Sequence, residues 1–135
     1  MTPRTMRRVY CREAAAMLIA ARLAVWLLPA SWLFAFVDRP MRHLRRFAAD
    51  EADWVAWAVD RMAAPERLDT LCLPRALAAH VMLRRRGIAN RLCLGVARNV
   101  GDLDAHAWVE VGGKVIVGGR EAEGFTRLAA FGRAV

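Results

Sequence analysis

A thiol and an imidazole thirty-four positions apart (106 − 72 = 34) carry the clearest chemistry in this sequence. Cys72 opens Cys72-Leu73-Pro74-Arg75-Ala76-Leu77, and His106 lies within Ala105-His106-Ala107-Trp108-Val109-Glu110. A cysteine nucleophile needs surroundings that favour the thiolate and a base that moves the proton. Pro74 suits the first turn of a helix, so Cys72 falls at that helix's positive end. The first-turn N–H groups, that of Cys72 among them, are candidate donors to an oxyanion. The small neighbours Ala105 and Ala107 leave His106 open to a group above it. Together these residues point to acyl transfer, with Cys72 as nucleophile and His106 as general base. The plainer alternatives are a small buried cysteine and a hydrogen-bonded core histidine. His43 lies among arginines, and His80 is eight residues along the same helix, roughly 12 Å from Cys72, so neither serves Cys72 directly.

The elements that must position this pair follow from periodicity and breakers. Residues from about Arg7 to Leu28 are rich in Ala, Leu and Met without Gly, which predicts a helix that Pro29 ends. Ser31 is the expected cap of a second short helix, Trp32 to Val37, followed by an Asp38-Arg39-Pro40 turn and a basic stretch from Met41 to Phe47. Asp50 is the expected cap of a third helix, where Trp54, Val55, Ala58 and Met62 recur at helical spacing, ending near Ala64-Pro65. The cysteine helix spans Thr70 to Gly87, with Gly87 as its stop. The period then changes to two in Arg91 to Val96, Ala105 to Val111 and Lys114 to Val117, with Gly112-Gly113 as a two-residue hairpin turn. Phe125 to Val135 reads equally as strand or short helix. Helices first and an antiparallel sheet after give an α+β class, a nucleophile helix packed on a sheet in the layout of papain-like and transglutaminase-like folds. An apolar and basic helical region, 1–48, packs on a core of 49–135.

Composition narrows the setting. Three cysteines at spacings of sixty-one and twenty-one residues match neither a disulfide framework nor a zinc site, which indicates a reducing, cytoplasmic compartment. The net charge of +8 is carried almost wholly by arginine, in short clusters without interleaved aromatics, so nucleic acid is not an expected partner. Residues 14–37 are nearly all apolar. Arg22 and Pro29 interrupt them, which favours a buried or interfacial helical hairpin over a span and leaves membrane-surface contact open. No phosphate-binding loop and no metal constellation is visible, so no cofactor is expected.

The block from Thr70 to Gly119 resembles the leader peptidase of lasso-peptide biosynthesis, a transglutaminase-like cysteine protease. The resemblance rests on Cys72-Leu73-Pro74-Arg75-Ala76-Leu77, Leu83-Arg84-Arg85-Arg86-Gly87-Ile88, Leu94-Gly95-Val96 and Ala105-His106-Ala107-Trp108-Val109-Glu110, in that order. It implies that Cys72 attacks the bond joining leader to core and that His106 relays the proton. It also implies three partners: the lasso precursor, a separate PqqD-like leader-recognition protein, for which this chain has no room, and an ATP-dependent, asparagine-synthetase-like cyclase.

The sequence departs from that family at the third member, because the aspartate expected about twelve residues after the histidine is Gly118. With Val111 opposite Lys114 across the turn, His106 is expected opposite Gly119, beside Gly118. Asp104 shares the face of His106 and is the candidate assistant; Glu110 is roughly 13 Å away along the strand. A backbone carbonyl or Asn99 is the other means of orienting the ring. Two rival functions share these residues: an acyltransferase on the same fold, and an inactive helper that docks the precursor.

Overall fold

Alanine-rich sequence and a well-formed cap build the first element of the computed structural model. Helix α1, Pro3–Leu27, starts earlier than expected because Thr2 caps it: the Thr5 N–H donates to Thr2 Oγ1 at 3.2 Å, and Pro3 takes the first position, where no N–H is needed. Pro29 ends it by holding Leu28 in extended backbone (φ −103°, ψ 147°). The residues described are 2–39, 49–64, 71–99, 101–118 and 126–131, with backbone alone at 49, 97–99, 102–104, 128 and 131. The basic stretch expected from Met41 to Phe47 and the start of the cysteine helix at Thr70 lie outside them.

Helix α2, Ala30–Val37, corrects one expectation. Its N-cap is Pro29 and no side chain caps it, so Ser31 sits inside the first turn. Pro29 prevents the preceding helix from running on, and its fixed φ delivers the chain directly into the next one. Helix α3, Ala49–Met62, already begins before Asp50, which joins Glu51 as an acidic residue of the first turn, where it complements the helix dipole. Helix α4, Cys72–Arg85, ends at Arg86 in a Schellman arrangement: the Gly87 N–H donates to Arg84 O and the Ile88 N–H to Leu83 O, both at 3.0 Å, with Gly87 at φ 71°.

Among the described residues four antiparallel strands follow: β1, Arg91–Asn99; β2, Asp102–Val111; β3, Lys114–Val117; and β4, Thr126–Phe131, in the spatial order β3-β2-β1-β4. Of the ambiguous tail, residues 126–131 are therefore a strand, paired with β1. Gly112 and Gly113 both take positive φ, 59° and 80°, as the tight β2–β3 turn requires, and Val111 pairs with Lys114 as expected.

The core lies between the helices and one face of the sheet. Tyr10, Ala14, Leu18 and Ala21 recur at helical spacing along α1 and pack with Val55 and Val59 of α3, Met82 and Leu83 of α4, and Leu92, Val109 and Val117 of the sheet. Complete burial of Leu18 alone is worth about 2 kcal/mol. A polar clasp fixes α1 to the end of α4. Glu13 accepts hydrogen bonds from Arg85 and Arg86, and the Arg86 guanidinium lies 4.6 Å above the Tyr10 ring.

The Arg86 hydrogen bond holds the Glu13 carboxyl below its ordinary value of 4.5, against the opposing effect of burial. A carboxyl whose folded value is depressed stabilises the fold above its unfolded value and loses that contribution as pH falls through the folded one. Glu13→Gln is accordingly expected to lower stability at pH 7 by about 1–3 kcal/mol. The gap from wild type should narrow toward pH 3, as read by urea denaturation at the two pH values.

Candidate active site

Cys72 is the first residue of α4, and Leu71 before it is extended (φ −67°, ψ 169°). No side chain caps this helix, and Pro74 has no N–H. The first intrahelical-type bond runs from the Arg75 N–H to Leu71 O at 3.2 Å, so the N–H groups of Cys72 and Leu73 have no acceptor within the helix. A thiol here stands at the positive end of α4 beside two amides that the helix itself does not use. Cys72 is half-buried against the edge of the core.

His106 lies in β2, and α4 packs against that strand. Alternation along β2 turns Ala107, Val109 and Val111 toward the helices and gives His106, Trp108 and Glu110 the other face. The fold thus brings the carriers of sulfur and ring into contact while setting the ring on the face away from the helical core.

Among the described residues a backbone carbonyl meets the ring, one of the means the sequence left open. His106 Nε2 lies 3.3 Å from Gly118 O. A carbonyl only accepts, so Nε2 is the donor. The register of β3 departs from the expected one. Val109 pairs with Val117 but Glu110 with Val115, so Ile116 is an extra residue in β3. The bulge advances the pairing by one residue and β3 ends at Val117, so the Gly118 carbonyl that meets the imidazole lies just beyond the strand. Gly118 has φ 79°, and a Cβ there would stand 3.1 Å from His106 Nε2 and 3.1 Å from Ala107 O. An aspartate here would adopt a strained left-handed backbone and press its neighbours aside by a few tenths of an ångström.

The rest of the face holds His106 in place. Its ring stacks on Trp108 (centroids 6.1 Å, interplanar 24°), and Trp108 Nε1 donates to Glu110 Oε1 at 3.3 Å. Arg127 of β4 lies 3.6 Å from the other Glu110 oxygen. Glu110 therefore anchors the tryptophan, in keeping with its distance from His106. The indole lies across Gly95, where an added Cβ would come within 2.7 Å of it. Sequence reasoning did not identify Gly95 as part of the site, because its need arises from a close approach between strands. Cys93 is fully buried beneath the same face, and burial, with Glu110 second, pushes its thiol up.

Asp104 is placed two residues before His106 in β2, paired with Ala97; its side chain, like that of Asn99, lies outside the described residues. Arg75 is half-buried, with a buried Nε that has no hydrogen-bond partner among the described residues. His80 is fully buried in α4, and its Nδ1 donates to Asn90 Oδ1 at 2.6 Å. Burial lowers its pKa, with Asn90 opposing and Arg84 adding; it belongs to the core, as its distance from Cys72 implied. Among the described residues no three His, Cys, Asp or Glu side chains gather as a metal site. No described helix is long and apolar enough to cross a membrane.

A family model described as the transglutaminase-like superfamily matches residues 15–130, which include Cys72, His106 and Gly118 and every element from α2 to β3. No curated protein and no solved structure matches the chain.

Proposed function

The chain belongs to the transglutaminase-like superfamily, and from that premise we propose that it is a cysteine peptidase that removes the leader from a ribosomally made lasso-peptide precursor. It would act with a separate leader-recognition protein and an ATP-dependent cyclase. The observation that carries the reading is the pairing of roles across α4 and β2. Cys72 stands at a helix N-terminus with no side-chain cap, and His106, on the strand that α4 packs against, has its Nε2 held 3.3 Å from Gly118 O.

In the proposed reaction His106 takes the Cys72 proton and the sulfur adds to the carbonyl carbon of the leader–core bond. The N–H groups of Cys72 and Leu73 receive the developing oxyanion. The C–N bond breaks as His106 returns the proton to the departing core amine, leaving the leader as a thioester. Water then adds with His106 again as base, the C–S bond breaks, and the leader carboxylate and free thiol are released. The imidazolium that forms in each half is stabilised by the Gly118 carbonyl dipole rather than by a carboxylate.

Reconstitution with the precursor and recognition protein, followed by mass spectrometry, tests the reading. Free leader with a terminal carboxylate is expected. A leader joined to an amine would show acyl transfer instead, and an intact precursor would show a docking role without catalysis. Gly118→Ala bears on the geometry: strain at φ 79° and pressure on Nε2 are expected to cost about 1–3 kcal/mol of stability. Displacing the ring is expected to slow cleavage by roughly tenfold to a hundredfold, measured as initial rate beside urea denaturation.

A further inference from the structure

Helix α1 presents one outward face with two halves of different chemistry. At about 100° per residue, Arg8, Arg12, Ile19, Leu23 and Trp26 fall within roughly 60° of one another, and all five are exposed. The N-terminal half of this face is cationic and the C-terminal half apolar, with Trp26 80% exposed. The apolar half continues through the α1–α2 turn, where Leu27 and Trp32 are each 66% exposed. Its single charge between Ala14 and Val37 is Arg22, also exposed. The only carboxylate of α1 is Glu13, and it is turned inward to Arg85 and Arg86.

An exposed face with no negative charge, with arginines along one half and tryptophan and aliphatic side chains along the other, is complementary to a planar surface that is anionic outside and apolar just beneath. From this we infer that α1 and the α1–α2 turn dock flat on an anionic lipid bilayer, independently of the chemistry at Cys72. The 25 residues of α1 give a footprint roughly 37 Å long. Arg8 and Arg12 meet lipid phosphates while Trp26, Leu27 and Trp32 enter the headgroup–acyl boundary. The helix lies on the membrane rather than across it, since no described helix is long and apolar enough to span. A protein groove would also take an apolar helix face, but the arginine half on the same line, without any carboxylate, favours the lipid surface.

The experiment uses the full chain with sedimented vesicles of phosphatidylglycerol and phosphatidylcholine, against vesicles of phosphatidylcholine alone. Binding to the anionic vesicles is expected, weakened by salt and accompanied by a blue shift of tryptophan emission. Trp26→Glu with Trp32→Glu should weaken it at least tenfold, and Arg8→Glu with Arg12→Glu at least fivefold for each arginine. Lys114→Glu, which changes charge on the distant β2–β3 turn, should leave it nearly unaltered; circular dichroism confirms that each variant is folded. Absence of binding to the anionic vesicles overturns the inference, as does an equal loss in Lys114→Glu. Self-association, or capture by the leader-recognition protein, that Trp26→Glu abolishes while vesicles go unbound would assign the face to a protein partner and overturn it as well.

Discussion

Cys72→Ala is expected to abolish cleavage of the leader–core bond, a fall of about ten-thousandfold or more, because the covalent intermediate forms on that sulfur and no other group in the proposed scheme replaces it. The fold should survive the change. Cys72 is only half-buried at the edge of the core, alanine favours a helix, and the α4 cap arrangement involves the backbone alone. A loss of about 1 kcal/mol or less is the expected cost. Mass spectrometry of the precursor beside a thermal melt separates the two effects. Cys72→Ser should be nearly as inactive, since a hydroxyl at that position is a far weaker nucleophile. Cleavage by Cys72→Ala at a rate near wild type would reject the peptidase reading.

His106→Ala is expected to reduce the rate by about a hundredfold to ten-thousandfold, the range for loss of a positioned base. It also removes the ring stacked on Trp108 and the partner of Gly118 O, so a stability loss of about 1–3 kcal/mol should accompany it. Initial rates at a temperature well below the melt keep the two apart. Because thiol and imidazole act as one unit, the Cys72→Ala, His106→Ala double variant should be no slower than Cys72→Ala alone. A further loss in the double variant would mean that His106 acts on something other than the thiol.

The features set by local rules were legible in the sequence. Pro74 and Gly87 bracket α4, and Gly112-Gly113 marks the β2–β3 turn, because each of those positions demands a particular backbone that few residues supply. The α+β order followed from the change of period after Gly87. Features that depend on two distant segments were not legible. The bulge at Ile116 lies three residues beyond a correctly read turn, and counting outward from the turn placed Gly118 beside His106 but gave no sign of the extra residue. Gly95 carries no local signal, because its size answers to the Trp108 ring on the neighbouring strand. The clasp of Glu13 with Arg85 and Arg86 joins residues more than seventy positions apart. Ser31 was misplaced because a good capping residue does not become a cap when the proline two positions earlier has already set the helix start.

The same contrast runs through the site. Cys72 and His106 stood out by type and flanking residues, and a backbone carbonyl was among the ways foreseen to orient the ring. Which carbonyl does so depends on a bulge and a left-handed glycine, which the sequence marks only by Gly118 occupying the aspartate's position.

The most direct measurement is the rate at which iodoacetamide modifies each thiol at pH 7, read by peptide mass spectrometry in wild type and in His106→Ala. Cys11 is the internal reference, because it is half-buried like Cys72 but lies within α1 rather than at a helix start. Faster modification of Cys72 than of Cys11, with that advantage largely lost in His106→Ala, is the predicted result. Equal rates at the two thiols, or a Cys72 rate indifferent to the loss of the imidazole, would contradict the account.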